Sequence, residues 1–172
     1  MKTYYKNYIS LLFLFFAFIM SANAQKMELE EEVSEPVTFV VDTAECCVNC
    51  AYNMQFQSME TALLNPSEVH CLVLSFGSPK FTSIPKEVAL FENLTCLDIS
   101  FNRVAVIPEE ILQCTKLHCL ELSGNHYLQD LPHFLKKLPN LKVVRLYDMK
   151  LWSEAKKQQV QKDFDGISLE FE

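Results

Sequence analysis

The sequence predicts an α/β fold, a short solenoid of stacked units that each contain a strand, a turn and a short helix. Three observations carry this prediction. VHCLVL at 69–74, LTCLDI at 94–99, LHCLEL at 117–122 and LKVVRL at 141–146 align, and their first residues Val69, Leu94, Leu117 and Leu141 are 25, 23 and 24 positions apart. A pattern of the form L-x-x-L-x-L at such a period marks stacked strand-and-turn repeats. A second anchor follows in Ile84-Pro85, Ile107-Pro108 and Leu131-Pro132, and each next unit begins nine residues after its Pro. Length variation is therefore confined to the loop, with two extra residues around Gly77 to Lys80 and one around His126 to Leu128. Finally, Val88 and Phe91, Ile111 and Cys114, and Leu135 and Leu138 recur at plus four and plus seven from the anchor aliphatics, the spacing of one helical face.

The elements around the repeats follow in chain order. Residues 1–24 read as a signal peptide: Lys2 and Lys6 give a positive start, Ile9 to Met20 is apolar but too short to span a bilayer, and Ala22-Asn23-Ala24 is a small-residue cleavage site. Residues 25–57 form an acidic, cysteine-containing segment, with five Glu between Glu28 and Glu35 and a strand-like run at Val37 to Val41 that is able to cap the first repeat. The repeat domain occupies 58–172. It opens on a short helix at Ser58 to Leu64, stopped by Asn65-Pro66. It closes on a cap at 153–172, where Ser153 N-caps a helix to about Phe164, Asp165-Gly166 turns, and Ile167, Leu169 and Phe171 alternate as a strand. Both ends need such covers, because an open solenoid end exposes core and strand edge.

The segment LTCLDISFNRVAVIPEEI at 94–111 resembles the leucine-rich repeat family, in the bacterial form L-x-x-L-x-L-S-x-N-x-L-x-x-I-P-x-x-I. The resemblance covers about 58–172. It implies a short right-handed solenoid with a parallel sheet on the concave face and short helices on the convex face. It also implies a non-catalytic module that binds a protein or peptide on the concave face. Gly77 and Met149 stand where the family has its turn asparagine, so Asn102 and Asn125 alone are expected to bridge neighbouring turns.

Residues between the repeat leucines point outward, which makes the candidate partner-binding set His70, Cys71 and Val73; Thr95, Cys96 and Asp98; His118, Cys119 and Glu121; and Lys142 and Arg145. Just past the strands lie Phe76, Phe101 and Tyr147. The surface reads as an aromatic edge, an acidic centre and a basic end, which suits a protein or peptide better than a buried small molecule. Removing the signal, with its two Lys and no acid, takes the formal charge from −7 to −9, which argues against nucleic acid and anionic lipid as partners. No later apolar run is long enough for a membrane anchor. The expected location is secreted or periplasmic.

Seven cysteines fall into three groups. Cys114 occupies a helix position filled by Phe91 and Leu138 in sister units and is expected in the core. Cys71, Cys96 and Cys119 share one repeat position and should form a row at the strand spacing of about 4.8 Å, read as small residues filling a crowded ladder. One zinc ion cannot gather all three, since the outer two would be about 9.6 Å apart. Cys46, Cys47 and Cys50 contain one C-x-x-C, for which the expectation is a disulfide stapling the N-terminal cap. The alternative function is a thiol-redox or metal-binding module built on those three. No metal site, cofactor or catalytic residue is predicted: G-x-S-x-G and H-E-x-x-H are absent, and three glycines are too few for a phosphate-cradling loop.

Overall fold

The computed structural model describes residues 55–172, which fall within the compact unit Val41–Glu172. The expected signal peptide, acidic stretch, Val37 to Val41 strand and Cys46, Cys47 and Cys50 lie outside the described residues. Six short strands form one sheet in chain order: β1 Gln55–Phe56, β2 Cys71–Val73, β3 Cys96–Asp98, β4 Cys119–Glu121, β5 Val143–Arg145 and β6 Ser168–Glu170. Every neighbouring pair is parallel. The register places Leu72, Leu97, Leu120, Val144 and Leu169 opposite one another, and all five are buried in the main core. Each unit thus buries its apolar edge against its neighbours, which is why the stack closes only as a whole.

The sheet begins at Gln55, and β1 was not expected from the sequence because two residues are too few to show an alternation. The capping helices match their signals. In α1, Met59–Leu64, the Ser58 Oγ accepts from the Thr61 backbone N–H, and Asn65 is the C-cap. In α2, Glu154–Asp163, the Ser153 Oγ accepts from the Lys156 N–H. Such caps satisfy backbone donors that have no partner inside the helix.

The convex elements differ in kind from the predicted helices. Lys86–Leu90, Glu109–Gln113 and His133–Lys137 are five-residue 3-10 helices, each entered from the anchor proline. Val88 N–H donates to Pro85 O and Phe91 N–H to Val88 O, and the same three-residue steps recur in the next two units. The eight residues between each anchor proline and the first residue of the next unit hold little more than one tight turn, and tight turns of this length take i to i+3 bonds. The core-facing pairs named from the sequence remain correct, because Val88 and Phe91, or Ile111 and Cys114, are three apart and eclipse one another.

Asn102 and Asn125 are buried and bridge the turns as expected. Asn125 Nδ2 donates to Leu122 O in its own unit and Ile99 O in the preceding one, while its Oδ1 accepts from Val104 N–H. Asn102 does the same with Ile99 O, Leu74 O and Phe81 N–H. Gly77 is required by this arrangement, since a Cβ there would lie 2.8 Å from Asn102 Oδ1 and 2.8 Å from the Phe81 ring. In the last unit Met149 is buried core, and the Trp152 indole N–H donates to Leu128 O, joining that unit to the third by a different route. Further ties at the residue before the first leucine of a unit were not foreseen: Asn93 donates to Ser67 O, Lys116 to Asn93 Oδ1, and Asn140 to Thr115 O.

Candidate functional site

The register arranges the outward residues into rows. The central row is Cys71, Cys96, Cys119 and Val143, facing away from the leucine core as predicted. It is nevertheless buried, at 0, 4, 1 and 3% exposure, and forms a second apolar cluster separate from the main core. Each of the three cysteines is disulfide-bonded. The expectation that they merely fill space is therefore corrected, because the repeat pattern reports their position and not their oxidation state. Buried in this way, the three do not offer side chains to a partner. Cys114 is the free thiol among the described residues; its Sγ donates to Val88 O, and burial pushes its pKa up to about 11, so it stays protonated and inert.

The next row is Val73, Asp98, Glu121, Arg145 and Glu170. Asp98 and Glu121 perform one local task in successive units: Asp98 Oδ1 accepts from Ser100 N–H and Glu121 Oε1 from Ser123 N–H, both at 2.9 Å. Burial raises Glu121 above its ordinary carboxylate range; the Ser123 hydrogen bonds and Arg145 oppose this, and the neighbouring Asp98 charge adds to it. Arg145 Nε donates to Glu170 Oε2 at 2.8 Å, and the Tyr147 hydroxyl donates to the same oxygen at 2.8 Å. Burial alone would raise Glu170, yet these two donors hold its carboxyl below the ordinary range. Glu170 was missed because β6 was read only from its inward residues Ile167, Leu169 and Phe171; the alternation also fixes Glu170 as outward, which was the available signal.

The aromatic edge has the most distinctive geometry. Phe76, Phe101, Gly124 and Asp148 occupy one position per unit, and all have positive φ, 54°, 52°, 68° and 53°. Their backbones are held by bonds between units: Phe76 N–H donates to Ser100 O, Phe101 N–H to Ser123 O and Gly124 N–H to Tyr147 O. The two phenylalanines stack with centroids 4.6 Å apart and planes 7° from parallel, while remaining 65% and 41% exposed. The Phe101 ring lies over Gly124, where a Cβ would approach it to 2.6 Å. Lys80 from the longest loop completes the group, its Nζ 5.4 Å from the Phe76 centroid and donating to Phe101 O at 2.6 Å. The sequence could not reveal its role, because nothing in the pattern folds that insertion back over the edge. A cavity of ≈ 570 Å³ opens beside it, between Gln57 to Glu60 and the loop at 77–83.

The remaining predicted residues frame these rows. His70, Thr95 and His118 are half-buried and Lys142 is exposed. Thr95 Oγ1 donates to His70 O. Burial and the nearby Lys142 charge lower the His118 pKa, which keeps the imidazole neutral at pH 7. Among the described residues, no group of three or more His, Cys, Asp or Glu is arranged to hold a metal ion. No helix among them is long and apolar enough to cross a membrane.

An open parallel sheet backed by single-turn helices and tied by turn asparagines defines a leucine-rich repeat solenoid. A family model described as Leucine Rich repeats (2 copies) matches residues 92–136. A solved leucine-rich repeat protein of Leptospira interrogans is similar, with 31% identity and a TM-score of 0.55 over 68% of this chain. The chain spans 29% of the length of that protein. No curated protein matches. The chain belongs to the bacterial leucine-rich repeat proteins, whose repeat domains serve in general as protein-interaction modules.

Proposed function

We propose that this chain is an exported, non-catalytic module that captures a protein or peptide along the strand-end edge of its concave side, with Phe76 and Phe101 as anchors. The supporting observation is that two large rings stay exposed at backbone positions suited to glycine. A left-handed conformation costs a bulky L-residue about 1–2 kcal/mol, and such strain persists where the surroundings enforce it and function uses it. Rigid, preassembled aromatics are favoured as binding anchors because little conformational freedom remains to be lost. The half-buried Asp98 and Glu121 carboxylates and the exposed Lys142 lie on the face beside them and supply orientation and selectivity.

The test is selection of a peptide-display library on the purified protein, followed by affinity measurement on a Phe76→Ser/Phe101→Ser double variant of unchanged circular dichroism. The expected loss is about tenfold or more in affinity, the scale of an aromatic anchor. Selected peptides that bind the double variant as well as the parent would overturn the reading.

A further inference from the structure

We infer that the cavity beside the phenylalanine edge is a slot for an extended segment of the peptide partner, which pairs its backbone with the loop at 80–83 as a further turn of the solenoid would. This rests on the proposed peptide-binding function and specifies how the peptide is held.

The repeat itself shows what fills such a slot. Between the first and second units, Arg103 N–H donates to Phe81 O, Ala105 N–H to Thr82 O and Ile84 N–H to Val106 O, with Ser83 and Val106 bridged in parallel. Phe81 and Val104 are equivalent, since each N–H donates to the turn asparagine of the next unit, Asn102 and Asn125 respectively. Lys80, Thr82 and Ser83 therefore correspond to Arg103, Ala105 and Val106. Arg103 N–H, Ala105 N–H and Val106 O face back toward the first unit, so Lys80 N–H, Thr82 N–H and Ser83 O face back toward the cap. None of these three groups carries a hydrogen bond within the described residues, and all three residues are exposed. A row of unpaired backbone donors and acceptors is a template for pairing with another chain.

The cap supplies no turn opposite this row. Only Gln57 and Ser58 separate β1 from α1, whereas residues 74–85 separate β2 from its 3-10 helix. The cavity of ≈ 570 Å³ lies where such a turn would run, with Gln57 to Glu60 on one wall and Gly77, Lys80, Thr82 and Ser83 on the other. Its size is that of a cleft able to hold a ligand, about 300–1,000 Å³. Gly77 fits the same picture. The turn asparagines Asn102 and Asn125 reach back to Leu74 O and Ile99 O of the preceding unit, and the first unit has a glycine in that place.

The pairing defines the occupant. In the same parallel sense it needs two successive carbonyls, in the roles of Phe81 O and Thr82 O, and an N–H two residues after the second, in the role of Ile84 N–H. The segment is therefore extended and has no proline at that last position. Main-chain bonds of this kind supply affinity, while alternate side chains supply selectivity; here Met59, Leu74 and Phe81 line the cavity. Lys80 makes the slot continuous with the aromatic anchors, because its backbone belongs to the row and its ammonium donates to Phe101 O beside the Phe76 ring. One peptide can lie in the slot and cross onto the two rings.

The experiment is amide hydrogen exchange, read by nuclear magnetic resonance on the full chain with and without a saturating linear peptide selected from a display library. In the free protein, the Arg103 and Ala105 amides should exchange slowly and those of Lys80 and Thr82 fast. Bound peptide should slow Lys80 and Thr82 about tenfold or more. A scan of single N-methylations along the peptide should find a position, the one meeting Ser83 O, where affinity falls about tenfold, the scale of one main-chain hydrogen bond. Unchanged Lys80 and Thr82 exchange, or tolerance of N-methylation at every position, would overturn the slot; if that peptide still depends on Phe76 and Phe101, the anchor reading stands without it. Slowed exchange with a peptide indifferent to both phenylalanines supports the slot and overturns the anchors. A library that yields no binder overturns both.

Discussion

The two ends of the strand face use the same repeat positions in opposite ways. Toward the C-terminus, Arg145, Tyr147 and Glu170 satisfy one another across β5 and β6, so the outward residues serve mainly to hold the cap. Toward the N-terminus, Phe76 and Phe101 stack on each other and stay exposed, with Lys80 leaning over them. The position that is Asp148 in the last unit, beside His126 and Lys150, carries a strained aromatic in the first two. On the proposed function, the repeat scaffold separates stability from recognition along its length, with Arg145, Tyr147 and Glu170 bonded across the cap strands at one end and the stacked rings exposed at the other.

The junction between these ends is the place to break the comparison hardest. Asn125→Ala should destabilise the fold by about 2 kcal/mol, because the buried Val104 N–H loses its acceptor, Ile99 O keeps only its bond from Asn102, and an unmade buried hydrogen bond costs about 1–3 kcal/mol. Urea titration measures it, and a loss below about 1 kcal/mol would mean that the ladder is not what couples the halves. At the recognition end, Phe101→Gly should weaken a selected peptide about tenfold or more while changing stability by less than about 1 kcal/mol, since relief of left-handed strain offsets the lost stacking. A large drop in melting temperature without loss of binding would make Phe101 a structural residue.

The cap end should answer to pH instead. Glu170 is lowered in the fold, so its contribution is present above the ordinary value of 4.5 and is lost as pH falls through the lowered folded value. Glu170→Gln should therefore cost about 1.5 kcal/mol near neutrality, the worth of a hydrogen bond to a charged group, and the gap from the parent should close in acid. Glu121 has the opposite sign. Its raised folded value gives a contribution fully present below 4.5 and lost as pH rises through that raised value. Glu121→Gln keeps an acceptor for Ser123 N–H and should gain a few tenths of a kcal/mol at neutral pH, with no gain in acid. Parallel denaturation curves at several pH values separate the two residues, and equal pH slopes for both variants would contradict the contrast.

Most of the repeat architecture was readable because leucine spacing, turn asparagines and proline anchors report burial and backbone geometry directly. The strand starts, the Asn102 and Asn125 bridges and both helix caps follow from side-chain chemistry local to a few residues. What escaped is non-local or too short to show a period. Two-residue β1 has no alternation, and a single turn after each proline looks the same whether it closes as α or 3-10. The position of Phe76 and Phe101 just past the strands was legible, but their positive φ was not, because that conformation is ordinarily signalled by Gly or Asn, as at Gly124. The oxidised state of Cys71, Cys96 and Cys119 left no mark in the repeat pattern, which reports position and burial rather than redox state.

The most direct test of the central claim is chemical-shift mapping of the isotope-labelled protein titrated with a selected peptide. The account predicts that the ring resonances of Phe76 and Phe101 and the amides around Lys80 and Asn102 move together with one affinity, while those of Glu170 and α2 stay in place. Shifts centred on the convex 3-10 helices or on the β6 cap, with the phenylalanine rings unmoved, would contradict it.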